Sequence, residues 1–260
     1  MARRTATEIV AMVEEKKTTL LPLHERIDND YDLWRLEKFQ ELNHEGQPVE
    51  GFHSYTSNEP RVFAKKMVGW LSESETIIGV SHRSAKRHEK DNDAHKERWL
   101  IGALKAADDR LRNVGMPPLK EHMAWHAAVR GWVCGRAIMR KDTDSKTLID
   151  VTPWDIRNTY WEWGDDGLAW IINHTKKTRP QIKAMYGIEL PQDAGVLEAK
   201  PDENTHDVYD YYDNEHNIVV AKDAVLKRAT AHGSPRTPAY ISFVGIQPEI
   251  NSDVVDEPVK

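Results

Sequence analysis

The sequence predicts an α+β fold, with an N-terminal helical half packed on an antiparallel β-sheet region. Two observations support this prediction. Before about residue 135, apolar residues recur at three- and four-residue spacing, which is typical of amphipathic helices. After Gly135, short alternating segments are separated by turn residues, which is typical of antiparallel strands. Because the helices come first and the strands follow, the pattern indicates α+β and not a parallel α/β sheet.

The first predicted helix covers residues 5–21. Its apolar side chains fall mainly on one face: Ala6, Ile9, Val10, Val13, Leu20 and Leu21. We expect Pro22 to end this helix, because proline interrupts helical hydrogen bonding. A second, short helix is predicted to hold four larger side chains, Tyr31, Trp34, Leu36 and Phe39.

A third helix is predicted after a loop at residues 43–57. Ser57 or Asn58 caps it, and Pro60 lies in its first turn, where the missing N–H has no cost. Four apolar residues at helical spacing predict its buried stripe: Phe63, Met67, Trp70 and Leu71. The polar stretch at residues 81–93 is expected to be a solvated connector.

The clearest helical pattern begins at Ala94. Its apolar stripe consists of Leu100, Ala103, Leu104, Ala107, Leu111 and Val114. Gly115 supplies a stop, and Pro117 and Pro118 open a further helix that runs to about Val133. Because few residues separate these two helices, we expect an antiparallel pair.

The second half predicts seven short strands, at residues 136–140, 148–151, 158–163, 168–174, 208–212, 218–220 and 240–244. Hairpin turns are expected at Asp165-Asp166-Gly167 and at residues 213–216. A brief helix starts at Thr178 and closes at Gly187, and residues 191–204 form a loop. The chain therefore divides into an N-terminal helical arm (1–50), a helical part (51–135), a β-rich part (136–250) and a disordered acidic tail (251–260).

The charge of the chain argues against strong DNA binding. The 260 residues carry a net charge of −6, and residues 191–260 hold six Lys/Arg against thirteen Asp/Glu. Only residues 82–112 are mildly basic, with nine Lys/Arg against six Asp/Glu. A protein that grips a duplex needs a basic surface. We therefore expect at most weak, non-specific DNA contact, confined to the stretch 83–112 and to residues such as Arg83, Lys86 and Arg87.

Cysteine content and hydropathy limit the setting of the protein. Cys134 is the only cysteine, which excludes an intrachain disulfide and fits a reducing compartment. We expect it to be a small core residue. No apolar run approaches the roughly 18 residues needed to cross a bilayer, so no membrane partner is expected.

Motifs for metal-dependent or nucleotide-dependent catalysis are weak. His122 and His126 are four residues apart on a predicted helix, but Met123 occupies the position where a zincin has its glutamate base. The acidic run that starts at Asp28 resembles a calcium loop only at its beginning. A Gly-rich phosphate loop with Lys-Ser/Thr is missing from the sequence. We predict no catalytic residue, no metal and no cofactor, and keep a metal-dependent nuclease or hydrolase as an alternative.

Three arginines lie close in sequence to tryptophans: Arg130, Arg136 and Arg157. One interpretation is contact with phosphate or DNA. The other, which we favour, is that each guanidinium stacks on Trp132, Trp154 or Trp161 and pairs with a carboxylate such as Asp155 or Glu162. Strand alternation at residues 160–163 places Trp161 and Trp163 on one face, which we predict to be core. We expect Trp132 and Trp161 to be largely buried.

Several stretches, taken in order, resemble the N-terminal half of tailed-bacteriophage portal proteins. They are Ser57-Asn58-Glu59-Pro60-Arg61 with Trp70 behind it, Arg130-Gly131-Trp132 with Arg136, Pro153-Trp154-Asp155-Ile156-Arg157, Trp161-Glu162-Trp163-Gly164-Asp165-Asp166-Gly167-Leu168, and Val208-Tyr209-Asp210-Tyr211-Tyr212-Asp213. Each stretch is short, and their common order and spacing give the resemblance its specificity. It runs from about Asp32 to Pro248.

The resemblance implies the α+β wing of a portal, a structural protein without an active site. It implies a dodecameric ring at one capsid vertex of the virion, assembled in the host cytoplasm. The implied partners are the major capsid protein, the scaffold, the terminase, head–tail adaptors and the double-stranded DNA that passes through the ring. Portal chains continue into a stem, a clip and a crown, so we expect this sequence to be a fragment or a truncated or split portal. A capsid-associated adaptor that forms no ring is the other non-enzymatic alternative.

Overall fold

The computed structural model describes residues 4–37, 42–45, 47, 49, 51, 56–75, 77–79, 87–141, 147–190, 205–221 and 224–244. Within this part of the chain there are six α-helices and two antiparallel sheets, which confirms the α+β prediction. The helices are α1 (Ala6–Thr19), α2 (Leu21–Arg35), α3 (Glu59–Glu73), α4 (Arg87–Asn113), α5 (Leu119–Arg130) and α6 (Arg179–Tyr186). The strands are β1 (Trp132–Lys141), β2 (Thr147–Trp154), β3 (Thr159–Gly164), β4 (Gly167–Thr178), β5 (Thr205–Asp213), β6 (His216–Ala221), β7 (Ala224–Ala231) and β8 (Ala239–Phe243).

The chain forms two compact units. Unit 1 comprises Met1–Leu21, Cys134–Ile138 and Trp154–Ile241, and unit 2 comprises Pro22–Val133, Met139–Pro153 and Ser242–Lys260. A five-stranded sheet with the order β3-β4-β5-β6-β7 belongs to unit 1. The smaller sheet has the order β2-β1-β8, and its strands contribute residues to both units.

The five-stranded sheet buries apolar side chains on both faces. On one face, Ile9 and Val13 of α1 pack in a core with β-sheet residues that include Ile172 and Tyr209. On the other face, Ile182 of α6 packs in a second core, with Val208, Val219, Ala221 and Leu226. Successive residues of a strand point to opposite faces, which explains how neighbouring positions such as 208 and 209 serve different cores.

Helix α1 begins as its sequence predicts. Thr5 caps it in a capping box with Glu8, in which the Thr5 hydroxyl accepts from the Glu8 N–H and the Glu8 carboxylate accepts from the Thr5 N–H. The expected role of Pro22 was wrong, however, because α1 already ends at Thr19 and Pro22 lies in the first turn of α2. Proline is tolerated there because a first-turn N–H has no helical partner. Phe39 lies outside the described residues.

The buried stripe predicted for α3 was largely wrong. Phe63 is 64% exposed and Trp70 is 67% exposed, and Leu71 is also exposed, while Ala64 is buried and Met67 is half-buried. Helical periodicity shows that a helix has an apolar face, but it does not show that the same chain covers that face. Helix α3 therefore presents an uncovered apolar face, which we call the α3 apolar face (Val62, Phe63 and Trp70).

The expected connector at residues 81–93 was wrong over its second part. Residues 81–86 lie outside the described part of the chain, but α4 already starts at Arg87, and Asp93 within it is buried. Of the predicted stripe, Ala107 and Leu111 are buried whereas Val114 is exposed. The helix ends where predicted, before Gly115, whose φ of 77° suits a residue without a Cβ.

Helix α5 ends earlier than predicted. Gly131 adopts φ 68° and stops the helix, so Trp132 and Val133 open strand β1 instead of closing α5. Helix α5 contacts α4, as the expected pairing requires, but its contact with α3 is more extensive.

In the second half, the predicted strands are present and most are longer than expected. Strand β7 was missed, because Lys227 and Arg228 interrupt the apolar alternation and only Leu226 of this strand is buried. Helix α6 has the expected ends, with a capping box at Thr178 and a left-handed Gly187. The predicted loop at 191–204 and the predicted tail at 251–260 lie outside the described residues.

Candidate functional site: the arginine-centred clusters

Arg130, at the end of α5, is the centre of an aromatic cluster in unit 2. It is 7% exposed, and its guanidinium lies 4.7 Å from the ring centroid of Tyr31 and 5.6 Å from that of Trp125. It also donates a hydrogen bond of 3.1 Å to the carbonyl oxygen of Ile27. The expected stacking of Arg130 on Trp132, Trp154 or Trp161 was therefore wrong. The kind of interaction was as predicted, since the guanidinium stacks on rings inside the protein.

Two further arginines extend this cluster. The Arg61 guanidinium lies 5.5 Å from the Trp34 centroid, and the Arg35 guanidinium lies 5.6 Å from the Tyr31 centroid. Tyr31 and Trp34 stack on each other with centroids 5.6 Å apart, and both meet Trp125 edge-on. The rings thus connect α2, α3 and α5 to one another. Because they are engaged with each other and with guanidinium groups, the geometry favours a structural role over base stacking.

Arg136, on β1, belongs to a separate polar cluster in unit 1. It donates a hydrogen bond of 2.8 Å to the Tyr212 hydroxyl and lies 3.7 Å from a carboxylate oxygen of Asp210. Asn217 donates to the other Asp210 oxygen at 2.7 Å, and Lys227 donates to the Asn217 side-chain oxygen at 2.6 Å. The expected stacking of Arg136 on a tryptophan was wrong, because its guanidinium lies 6.0 Å from the ring centroid of Tyr212 on β5.

The electrostatics of this cluster are set by burial. Burial raises the pKa of Asp210 above its usual value of 3.8, while Arg136 and the hydrogen bond from Asn217 oppose the rise. The pKa of Tyr212 is also raised by burial and by the neighbouring Asp210 carboxylate. The cluster therefore favours uncharged forms of its acidic members. It holds hydrogen bonds within the sheet and has no arrangement of nucleophile and base among the residues named.

The stretch from Pro153 to Arg157 forms a tight turn before β3. The Asp155 carboxylate accepts a hydrogen bond of 3.0 Å from the Arg157 N–H, and the Asp155 carbonyl accepts one of 2.8 Å from the Thr159 hydroxyl. Asp155 therefore acts as the cap of a single 3-10 turn, Ile156–Asn158. Pro153 is buried beside this turn.

Cys134 supports the same turn from β1. Its thiol is buried and donates to the carbonyl oxygen of Trp154 at 3.3 Å. Burial raises the pKa of Cys134 to about 12. The thiolate is the reactive form of cysteine, so this residue is an unreactive core residue, as the sequence predicts.

The hairpin between β3 and β4 corrects one prediction about the tryptophans. Trp161 is buried as expected, but Trp163 is 53% exposed. The strand register shifts between Glu162 and Trp163, so the alternation on which the prediction depended is broken there. Gly167 has φ 123°, a conformation suited to glycine, and pairs with Gly164 at the turn.

The other motif residues lie at helix ends or are partly exposed. Asn58 precedes α3 but its side chain makes no capping hydrogen bond, and Ser57 accepts from the Glu59 N–H instead. Pro60 lies in the first turn of α3. Trp132 is half-buried, which is less than predicted, and its ring meets Phe243 edge-on at 5.3 Å.

The residues that suggested metal chemistry do not form a cluster. The rings of His122 and His126 stack with centroids 4.8 Å apart on α5. Among the described residues no group of three or more His, Cys, Asp or Glu side chains could hold a metal ion. The acidic run from Asp28 lies within α2, so it cannot form a calcium loop. For the weak DNA contact, Arg83 and Lys86 lie outside the described residues, and Arg87 is the first residue of α4.

Comparison with known proteins adds no family assignment. No family model matches the chain, and a search of the curated proteins finds no match either. Among the described residues, no helix is both long and apolar enough to cross a membrane. Sequence reasoning also missed Tyr31 and Asp210 as partners of the two arginines, and Asn217 as a hydrogen-bond donor to Asp210. No local signal marks them, since their partners are distant in the sequence.

Proposed function

We propose that this chain is the wing portion of a tailed-phage portal protein, a structural part of the ring through which DNA is packaged and ejected. One observation carries the proposal: the stretches that resemble portal proteins coincide with the turns and ends that set this fold. Pro60 opens α3, Gly131 ends α5, Asp155 caps the turn before β3, and Gly167 closes the hairpin. Because these motif residues form turns and helix ends, they support an architectural role.

The two arginine-centred clusters support the same proposal. Arg130 holds aromatic rings of two helices, α2 and α5, together, and Arg136 holds a polar network on the sheet. In both cases a residue of the resemblance is occupied with contacts inside the protein. Under the proposal the chain is not an enzyme and uses no metal or cofactor.

The α3 apolar face supports a role in assembly. Large exposed apolar patches on a folded protein mark surfaces that contact other macromolecules, and Phe63 and Trp70 are both about two-thirds exposed. The partners in our proposal are further copies of the chain in a ring, twelve by the family resemblance, together with the major capsid protein, scaffold, terminase and head–tail adaptor. The place is the portal vertex of the virion, with assembly in the host cytoplasm.

Electron microscopy of particles tests the proposal. A tagged chain is expected in a ring at a single vertex of each capsid. Trp70→Asp should lower its incorporation, whereas Lys65→Asp, at an exposed polar position of the same helix, should not. Chains on many vertices or faces would instead indicate a capsid-associated adaptor. Stoichiometric, tightly bound transition metal together with DNA cleavage by the purified chain would indicate the nuclease.

A further inference from the structure

Helix α4 presents an exposed face that is basic and bears apolar side chains. Arg98, Lys105 and Arg112 recur every seven residues, so they follow one stripe, with about 10.5 Å between successive members. Trp99, which is 44% exposed, and Ile101 flank this stripe. We call these residues the α4 basic face.

Most of the positive charge on this face has no local compensation. Arg112 pairs with Asp109 at 3.7 Å. Arg98 and Lys105, by contrast, are exposed and form no ion pair within the described part of the chain. A surface of this kind attracts an anionic partner, and its flanking apolar side chains gain free energy only if that partner also excludes water.

Helix α2 presents a matching face of opposite charge in the same unit. Glu25 and Asp32 are exposed, again seven residues apart, and form no ion pair within the described residues. Leu33, which is 57% exposed, flanks the acidic stripe. We call these three residues the α2 acidic face. Its two carboxylates are spaced by the same two helical turns as the cations Arg98 and Lys105.

We propose that the α2 acidic face of one copy docks on the α4 basic face of the next copy of this chain. Equal spacing allows two ion pairs to form together, one for Glu25 and one for Asp32. Pairing Asp32 with Arg98 brings Leu33 close to Trp99, because each follows its charged residue directly in the sequence. Two different faces of the chain then meet, which is a heterologous contact of the kind that closes rings. The inference rests on the proposed function, because a ring requires such a contact.

The chemistry of the α4 basic face favours a protein partner over DNA. Asp109 lies on the same stripe and is exposed. Its carboxylate repels the phosphates of DNA but attracts the lysines and arginines of a protein partner. The exposed side chains of Trp99 and Ile101 would have no apolar surface to pack against along a phosphate backbone. The net charge of −6 opposes general attraction to nucleic acid as well.

Charge reversal tests this contact in the full chain. Glu25→Lys with Asp32→Lys should weaken self-association by about tenfold or more, and so should Arg98→Glu with Lys105→Glu, because each places like charges together. All four changes together should restore association to within about threefold of wild type, since the ion pairs re-form with exchanged signs. Mass photometry over a concentration series measures the association. Glu15→Lys with Asp166→Lys makes the same charge change on exposed residues of unit 1 and should have no effect.

The outcomes separate this contact from the proposed function. Three results would overturn the contact. They are a fourfold variant in which self-association does not recover, charge reversals that leave self-association unchanged, and a wild-type chain that stays monomeric. Duplex binding that is lost in Arg98→Glu with Lys105→Glu, with assembly unchanged, overturns it in favour of DNA. Rings that remain at the vertex in both reversal variants leave the portal proposal standing without this contact. Recovery in the fourfold variant, with the chain missing from the vertex, supports the contact and overturns the portal proposal. Thermal unfolding of each variant confirms that it is folded.

Discussion

The guanidinium of Arg130 lies 4.7 Å above the ring of Tyr31, so the last residue of α5 is joined to the middle of α2. The same guanidinium donates to the Ile27 carbonyl, 103 positions away in the sequence. Because the arginine is buried, this one side chain carries cation–π stacking, a hydrogen bond and apolar packing at once.

Arg130→Ala should destabilise unit 2 by about 2–4 kcal/mol, because it removes the stacking, the hydrogen bond and the buried packing. Arg130→Lys keeps the charge but loses the planar guanidinium, so a loss of about 1–2 kcal/mol is expected. Urea unfolding followed by tryptophan fluorescence measures both. Arg35→Ala is the control, since Arg35 stacks on the same ring from an exposed position and should cost under about 0.5 kcal/mol. Equal losses at the two arginines would contradict the central role of Arg130.

Gly131 provides a test of backbone conformation alone. Its φ is 68°, and a Cβ built on it meets no atom within 4 Å. Gly131→Ala should therefore cost about 1–2 kcal/mol through the left-handed backbone and not through a clash. Gly69→Ala is the matched control, because Gly69 lies inside α3 with equal space for a Cβ and should gain about 0.5–1 kcal/mol. Thermal melts measure the stability of both variants. An unchanged melting temperature in Gly131→Ala would show that the turn relaxes to another conformation.

The features predicted correctly from the sequence are those with local causes. The start of α1 directly after Thr5, the end of α6 before Gly187 and the hairpin turn at Gly167 each depend on residues within a few positions of one another. Caps and left-handed glycines can be read directly for that reason. The same applies to the burial of Trp161, which follows from its place in a strand.

The features that could not be predicted depend on distant contacts. Nothing near Arg130 in the sequence points to Tyr31, and nothing near Arg136 points to Asp210. The exposure of Phe63 shows the other limit, because a helical stripe is the same pattern whether its cover comes from this chain or from a partner. At Trp163, a one-residue shift in pairing moves the side chain to the solvent, and such a bulge leaves no clear mark in the sequence.

The two tryptophans of β3 should differ sharply in their contribution to stability. Trp161 is buried, so Trp161→Ala is expected to cost about 3–5 kcal/mol. Trp163 is 53% exposed, so Trp163→Ala should cost under about 1 kcal/mol. Guanidinium unfolding followed by circular dichroism measures the difference. Similar losses at both sites would show that the register shift is missing in solution.

Asp210 should make the stability of unit 1 depend on pH. Its pKa in the folded state is raised by burial above the usual 3.8, so the folded protein binds the Asp210 proton more tightly than the unfolded chain does. This contribution to stability is fully present below the unfolded-state pKa and is lost as pH rises through the folded-state pKa. Relative to Asp210→Asn, which does not titrate, wild type should therefore lose stability as pH rises above about 4. Urea unfolding of both proteins across the acidic range measures the difference, and parallel curves would contradict the raised pKa.

Duplex DNA should bind the isolated chain weakly and without sequence preference. The net charge is −6, and on α4 two of the exposed cations, Lys96 and Arg112, pair with aspartates of the same helix. Because the net charge is negative, affinity should lie at or below the non-specific range, with Kd of roughly 10⁻⁴ to 10⁻⁶ M near 150 mM salt, and should fall further as salt rises. Fluorescence anisotropy with two unrelated duplexes at two salt concentrations tests this. Equal binding curves for the two duplexes would agree with a protein that lets DNA slide through a channel. Nanomolar affinity for one sequence would identify a DNA-processing protein and overturn the portal proposal.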